Sequence, residues 1–169
     1  MGKILITTFQ TWLTHHTSNS ADDLVGLVAD RLPSHCQVLR HLPVDFEAAP
    51  RLVLARIAEL QPEIVVCCGM AESRSQLSIE SNGRWQSDLR FTTVDLAALC
   101  RETQDTTISH DAGGFVCNYL YYQVLRQWQA AAAGRQAIFV HVPLLTETNR
   151  ATMVEDFCAI LSAIDAYNP

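Results

Sequence analysis

An α/β fold, with a mainly parallel sheet covered by helices on both faces, is predicted by three features of the chain. Short apolar, β-branched runs alternate with amphipathic segments along its length. The clearest runs, Ile64-Val65-Val66-Cys67-Cys68 and Gln136 to Val142, lack polar alternation and so read as strands buried on both faces. No internal repeat, low-complexity tract or linker interrupts the 169 residues, so a single domain over 1–169 is expected.

The elements follow in order. Lys3 to Thr8 reads as a short buried strand, followed by a polar stretch from Gln10 to Ser18. A helix is expected from about Ala21 to Leu32, with Ser20 as N-cap, Asp22 and Asp23 in its first turn, and Pro33 ending it. Its apolar face is Leu24, Val25, Val28 and Leu32. Cys36 to Leu42 is a second strand. Asp45 then caps a helix from about Phe46 to Leu60, with Pro50 near the first turn. Glu63 to Cys68 is a buried strand that Gly69 is expected to stop. Met70 to Arg90 lacks a helical period and reads as a long loop holding one strand, Gln76 to Glu80. Thr92 is expected to cap a helix over Thr93 to Thr103, and Thr106 to Ser109 is a short strand. The turn Asp111-Ala112-Gly113-Gly114 opens onto a long helix from about Phe115 to Ala133, closed by Gly134. After the strand Gln136 to Val142 and Pro143, a last amphipathic helix runs from about Asn149 to Ala166.

Composition narrows the function classes. A hydrophobic fraction of 49% with 18% charged residues is that of a globular protein. A formal charge of -6 argues against a nucleic-acid partner, whose phosphates need a basic surface. The run Ile4-Leu5-Ile6 is too short for a signal peptide, and no segment is long and apolar enough to span a bilayer, so a cytoplasmic protein with no membrane partner is expected. Ile6 stands where a myristoylation motif needs Ser or Thr. The six cysteines form no CxxC pair, and the histidines do not complete a zinc spacing; reduced thiols, no metal and no cofactor are expected.

In sheets of this kind the loops after the strands build the sites. Cys117 follows a strand and a glycine turn and occupies the first turn of a helix, where unpaired amides and the helix dipole favour a thiolate and can also donate to an oxyanion. A buried, inert cysteine at a helix start is the competing reading. His141 ends a buried strand, where it is either a base facing the crevice or a hydrogen-bonded core histidine. Glu80 ends Ser78-Ile79-Glu80, either orienting that base or simply solvated. A thiol nucleophile needs a base and the base an orienting partner; the chain offers one candidate of each near strand ends.

At these three places the chain resembles the pyroglutamyl peptidase I (pyrrolidone-carboxylate peptidase) family of cysteine peptidases. The segment Ser109-His110-Asp111-Ala112-Gly113-Gly114-Phe115-Val116-Cys117-Asn118-Tyr119 is similar to the family's nucleophile segment, with Tyr121, Tyr122 and Leu125 continuing the same helix. His141-Val142-Pro143 matches the family's His-Val-Pro. Over Pro62 to Glu80, Gly69, Ala71 and Arg74 lead to the acidic residue, and Leu42-Pro43-Val44 is a weaker match. The resemblance implies a three-layer α/β/α sandwich with a mainly parallel mixed sheet. It implies the triad Cys117, His141 and Glu80, and removal of an N-terminal pyroglutamate from a peptide through an acyl-enzyme. It places Phe9, Trp12, Met70, Arg74, Phe115 and Val116 as substrate-binding candidates, Arg74 as an aid to the oxyanion. It admits homo-oligomers, because bacterial relatives often form dimers or tetramers.

The resemblance also has departures. The family's first loop, Gly-Phe-x-Pro-Phe-Gly-Gly, is here Thr8-Phe9-Gln10-Thr11-Trp12-Leu13-Thr14, and the segment after Glu80, Ser81-Asn82-Gly83, is abbreviated up to Phe91. Three functions therefore stand side by side: a pyroglutamyl peptidase, a related thiol amidase with another small substrate, and an inactive binding protein on the same scaffold.

Overall fold

A computed structural model of the chain describes residues 2–130 and 134–166. Its centre is a six-stranded sheet of order β2-β1-β3-β8-β4-β7. The strands are β1 (Ile4–Phe9), β2 (Cys36–Leu42), β3 (Ile64–Met70), β4 (Leu77–Glu80), β7 (Thr106–Ser109) and β8 (Gln136–Val142). β1, β2, β3 and β8 run parallel, β4 is antiparallel to β8, and β7 is parallel to β4. The expected mainly parallel mixed sheet is thus present. The continuous apolar runs are explained by burial: every residue of β1 and β3 is buried.

Side chains alternate between two apolar layers, as the period of a strand requires. Ile4, Ile6, Ile64, Val66, Ile138 and Val140 pack under α1 (Ser20–Leu27), α3 (Leu96–Arg101) and α5 (Arg150–Ala166). Leu5, Val65, Cys67, Ala137 and Phe139 pack under α2 (Ala48–Leu60) and α4 (Val116–Ala130). The result is an α/β/α sandwich. No helix among the described residues is long and apolar enough to cross a membrane.

Several expected boundaries move for identifiable reasons. The first helix is capped by Asn19, whose side chain accepts from the Ala21 amide, while Ser20 Oγ donates to the Val142 carbonyl. It ends at Leu27 and is followed by a 3₁₀ turn over Ala29–Arg31, not a continuous helix to Leu32. The second helix starts at Ala48, two residues later than expected, with Glu47 and not Asp45 at its N-cap position; Asp45 accepts from the amides of Glu47 (2.9 Å) and Ala48 (2.7 Å) just ahead of it. Asp95, not Thr92, caps α3, by accepting from the Ala98 amide; Thr92 Oγ1 donates instead to the Ala137 carbonyl at 2.6 Å. The expected continuation of α4 to Ala133 falls outside the described residues.

The segment read as loop after Glu80 is a β-hairpin, β5 (Asn82–Trp85) with β6 (Asp88–Phe91), turning at Gln86 with φ +53°. Its strands carry Asn, Gly, Arg and Asp, which hide the usual apolar alternation. The hairpin is held from outside instead. Asn118 Nδ2 donates to the Arg84 carbonyl (2.7 Å), and the Arg84 amide donates to Asn118 Oδ1 (2.8 Å). At Gly83 a Cβ would stand 2.7 Å from the Tyr122 backbone nitrogen, so only glycine lets the hairpin lie this close to α4.

Candidate active site

The sheet register brings two of the candidate residues together. Gly69 pairs with His141 across β3 and β8, and Glu80 pairs with Phe139 across β8 and β4. Phe139, His141 and Glu80 therefore point to the same face, the one covered by α4. Glu80 lies diagonally across from His141, within reach of a long side chain. Its Oε1 is 2.7 Å from His141 Nδ1. Glu80 is wholly buried and His141 is 5% exposed, so the contact is made out of water. Phe139 packs against the imidazole with ring centroids 4.2 Å apart, fixing its plane.

The third residue arrives from above the sheet. Ser109 ends β7; Asp111 then closes an Asx turn by accepting from the Gly113 amide at 3.0 Å, and Gly113 takes φ +76°. This starts α4 at Val116 and places Cys117 in its first turn. Cys117 Sγ is 3.9 Å from His141 Nε2. Thiol, imidazole and carboxylate thus form one line, with the two ring nitrogens serving different partners.

Gly69 was expected to stop β3, but the strand runs through it to Met70. Its role is spatial. A Cβ here would stand 3.1 Å from Phe139 Cε2 and 3.2 Å from Cys117 Cβ, so the missing side chain is what lets α4 settle over the strand.

Burial and the helix N-terminus act on the thiol in opposite senses. Burial pushes the Cys117 thiol up to about 11, the backbone amides of Asn118 and Cys117 pull the other way, and nearby Glu80 raises it further. The helix N-terminus is thus outweighed by desolvation, and the sulfur at rest carries its proton. The amides that lower it are donors aimed at the reacting atom.

Arg74 stands behind the carboxylate. Its guanidinium donates to Glu80 Oε1 (3.1 Å), Ser78 Oγ (3.2 Å), Ser109 Oγ (3.0 Å) and the Asp111 carbonyl (3.1 Å). It joins the Glu80 carboxylate to the turn before Cys117, so the guanidinium expected to aid an oxyanion is engaged with these four acceptors. Glu80 Oε2 is buried without a hydrogen-bond partner among the described residues, so Oε1 does all the anchoring.

The remaining candidates separate into three groups. Phe9 and Val116 are buried, in the same apolar layer against which Cys117 packs. Phe115 is 69% exposed and Trp12 37% exposed, the latter edge-on to His16. Met70 is turned away: its thioether accepts from the Ser20 amide on the α1 side, because strand alternation sends Gly69 toward Cys117 and its neighbour to the opposite face. Ser109 and Asn118 stand in the segment that carries the resemblance but have no role assigned from sequence, and the hairpin reads there as loop. Their contribution lies in contacts between distant segments, which no local pattern announces.

The model of the pyroglutamyl peptidase family matches residues 2–103 and 88–157. The chain belongs to the pyroglutamyl peptidase family. Among relatives, the pyrrolidone-carboxylate peptidase of Pseudomonas fluorescens (strain SBW25) is 29% identical, over 87% of this chain and 81% of the relative. That of Cupriavidus pinatubonensis is 26% identical with the same coverage. A mutant pyrrolidone carboxyl peptidase of Pyrococcus furiosus superposes with a TM-score of 0.84 at 19% identity, covering 99% of this chain and 100% of the other. Pyroglutamyl peptidase I of Bacillus amyloliquefaciens gives 0.81 at 18% identity, with 98% coverage of both. At these identities the structural matches speak to the fold: this pyroglutamyl peptidase family member keeps the α/β/α sandwich of its solved relatives.

Proposed function

We propose that the chain is a cysteine peptidase that removes N-terminal pyroglutamate from peptides, with Cys117 as nucleophile, His141 as general base and acid, and Glu80 as the group that orients His141. One observation carries the reading: the buried Glu80–His141 contact at 2.7 Å, with the other imidazole nitrogen turned to the sulfur of Cys117. Membership of the family supports the substrate class, since the relatives are named for pyrrolidone carboxylate.

The chemistry follows from the site. Glu80 accepts a hydrogen bond from Nδ1–H, which leaves Nε2 unprotonated and facing the thiol. Because the resting thiol is neutral, proton transfer to Nε2 accompanies attack of sulfur on the pyroglutamyl carbonyl. Glu80 stabilises the imidazolium that forms, and Arg74 stabilises Glu80 in turn. The amides at the start of α4 face the developing negative charge. His141 then returns its proton to the leaving amine. A thioester remains, and water activated by the same imidazole hydrolyses it, regenerating the thiol. Pyroglutamate is a neutral lactam without a free amine; an apolar wall of Phe9 and Val116 with Phe115 and Trp12 at the rim suits such a ring. The substrate is a peptide or small amide.

A related thiol amidase with another small substrate is the second reading. It is favoured by the exposure of Phe115 and Trp12, which leaves two of the four aromatic and aliphatic wall candidates open to solvent. Turnover of pyroglutamyl-aminomethylcoumarin, abolished by Cys117→Ala, tests the first reading. Alkylation at Cys117 without pyroglutamyl turnover would favour the second. Undiminished turnover by Cys117→Ala would overturn both.

A further inference from the structure

Outside the catalytic line, the fold assembles one cluster of metal-ligating side chains among the described residues. His15 and His16 belong to the polar stretch after β1, and Glu72 to the loop after β3. A turn in which the His16 amide donates to the Leu13 carbonyl (3.1 Å) bends the backbone, so that the two neighbouring rings come together, centroids 4.3 Å apart. In extended chain, adjacent side chains would point to opposite sides. Both Nε2 atoms converge on Glu72 Oε1, at 3.2 Å from His15 and 2.5 Å from His16. The ligand atoms of all three residues lie within 4.8 Å of one another.

We propose that His15, His16 and Glu72 bind a divalent transition-metal ion of the zinc class, tying the loop after β1 to the loop after β3. Two imidazole nitrogens and one carboxylate oxygen are a donor set that suits Zn²⁺, Cu²⁺, Ni²⁺ or Co²⁺, and not the all-oxygen shells of Ca²⁺ and Mg²⁺. Around a tetrahedral ion with bonds of about 2.0–2.1 Å, donor atoms stand roughly 3.4 Å apart, which the present spread brackets. The protein presents the ligands partly fixed. The His16 side chain is only 4% exposed and packs edge-on to Trp12. Its Nδ1 has no hydrogen-bond partner among the described residues, so its polar contact is made through Nε2. His15 and Glu72 are exposed, at 64% and 41%, and leave an entry path and room for water to complete the shell. Linear spacing hides this cluster because its carboxylate comes 56 residues after the nearer histidine.

The test of this site needs no substrate, so it succeeds or fails independently of the peptidase reading. Zinc ion alone is titrated calorimetrically into the chain after Cys117 has been alkylated, which removes the thiol as a competing ligand. One equivalent should bind saturably. His15→Ala and Glu72→Gln, both exposed positions that leave the fold intact, should each weaken binding at least about tenfold, since loss of even an outer-shell partner costs that much. Cobalt(II) bound at the same stoichiometry should show ligand-field bands without a sulfur charge-transfer band. Zinc affinity unchanged in both variants, absence of saturable binding, or a sulfur charge-transfer band would overturn the assignment.

Discussion

Replacing Glu80 by Gln removes one charge at the most buried point of the proposed catalytic line and almost no volume. Oε1 now holds two donors, His141 Nδ1 at 2.7 Å and Arg74 Nη2 at 3.1 Å. A glutamine cannot serve both as a carboxylate does. If its oxygen keeps Arg74, its NH₂ faces Nδ1, which must then act as acceptor; the imidazole proton moves to Nε2, where it blocks acceptance from the thiol. If its oxygen keeps His141, the charge that stabilises the imidazolium is still lost. The cost compounds because the resting thiol lies near 11 and depends on the imidazole to take its proton. A carboxylate-to-amide change in a comparable triad lowers kcat by about 10⁴. We expect a fall in kcat of about 10³ to 10⁴, equivalent to roughly 4–5.5 kcal/mol in barrier height. KM should move little, since Glu80 is wholly buried and makes no contact available to substrate. The assay is kcat and KM for pyroglutamyl-aminomethylcoumarin, with far-UV circular dichroism to verify the fold. Activity within tenfold of the parent chain would refute the orienting role.

Other outcomes follow from the same geometry. Gly69→Ala should cost about 1–3 kcal/mol in stability by overpacking and depress activity further by moving Cys117, as urea melts and turnover would show. Asn118→Ala removes both bonds to Arg84 and should speed amide exchange over residues 82–91 while losing about 1–3 kcal/mol of global stability. The alkylation rate of Cys117 by iodoacetamide should climb about tenfold per pH unit from pH 7 to 10, because a thiol near 11 gains thiolate as protons are withdrawn; a plateau near neutrality would instead reveal a resting thiolate–imidazolium pair. Arg74→Met should weaken kcat while leaving alkylation of Cys117 in urea-unfolded chain unchanged, since it removes a brace on Glu80 and on the Asp111 turn, not a reacting group.

The strands that carry His141 and Gly69 were legible because burial on both faces leaves a continuous apolar run that little else produces. Cys117 stands out by its glycine turn and helix start and His141 as a strand-end residue, whereas Glu80 reads equally well as a solvated loop residue until the β4–β8 register sets it beside His141. What the linear pattern misjudged is instructive. Gly69 looks like a strand terminator because local reasoning treats glycine as punctuation, whereas here its bareness answers to a helix that comes far later in the chain. The β5–β6 hairpin escaped notice because Asn118 and the Tyr122 backbone hold it, not an apolar face of its own. The resemblance places Met70 among the substrate-binding candidates, yet strand alternation turns it the other way. The helix position of Cys117 favours a thiolate; desolvation, invisible before folding, outweighs it and pushes the thiol up to about 11.

The central claim is that Cys117 attacks the pyroglutamyl carbonyl. The most direct measurement is intact-mass and peptide mapping after incubation with pyroglutamyl chloromethyl ketone, which alkylates a nucleophile seated beside the bound lactam. A single adduct on Cys117, blocked by free pyroglutamate and absent from Cys117→Ala, is the expected result. An adduct spread over the half-buried Cys36, Cys100 and Cys158, or one that leaves Cys117 untouched, would contradict the account.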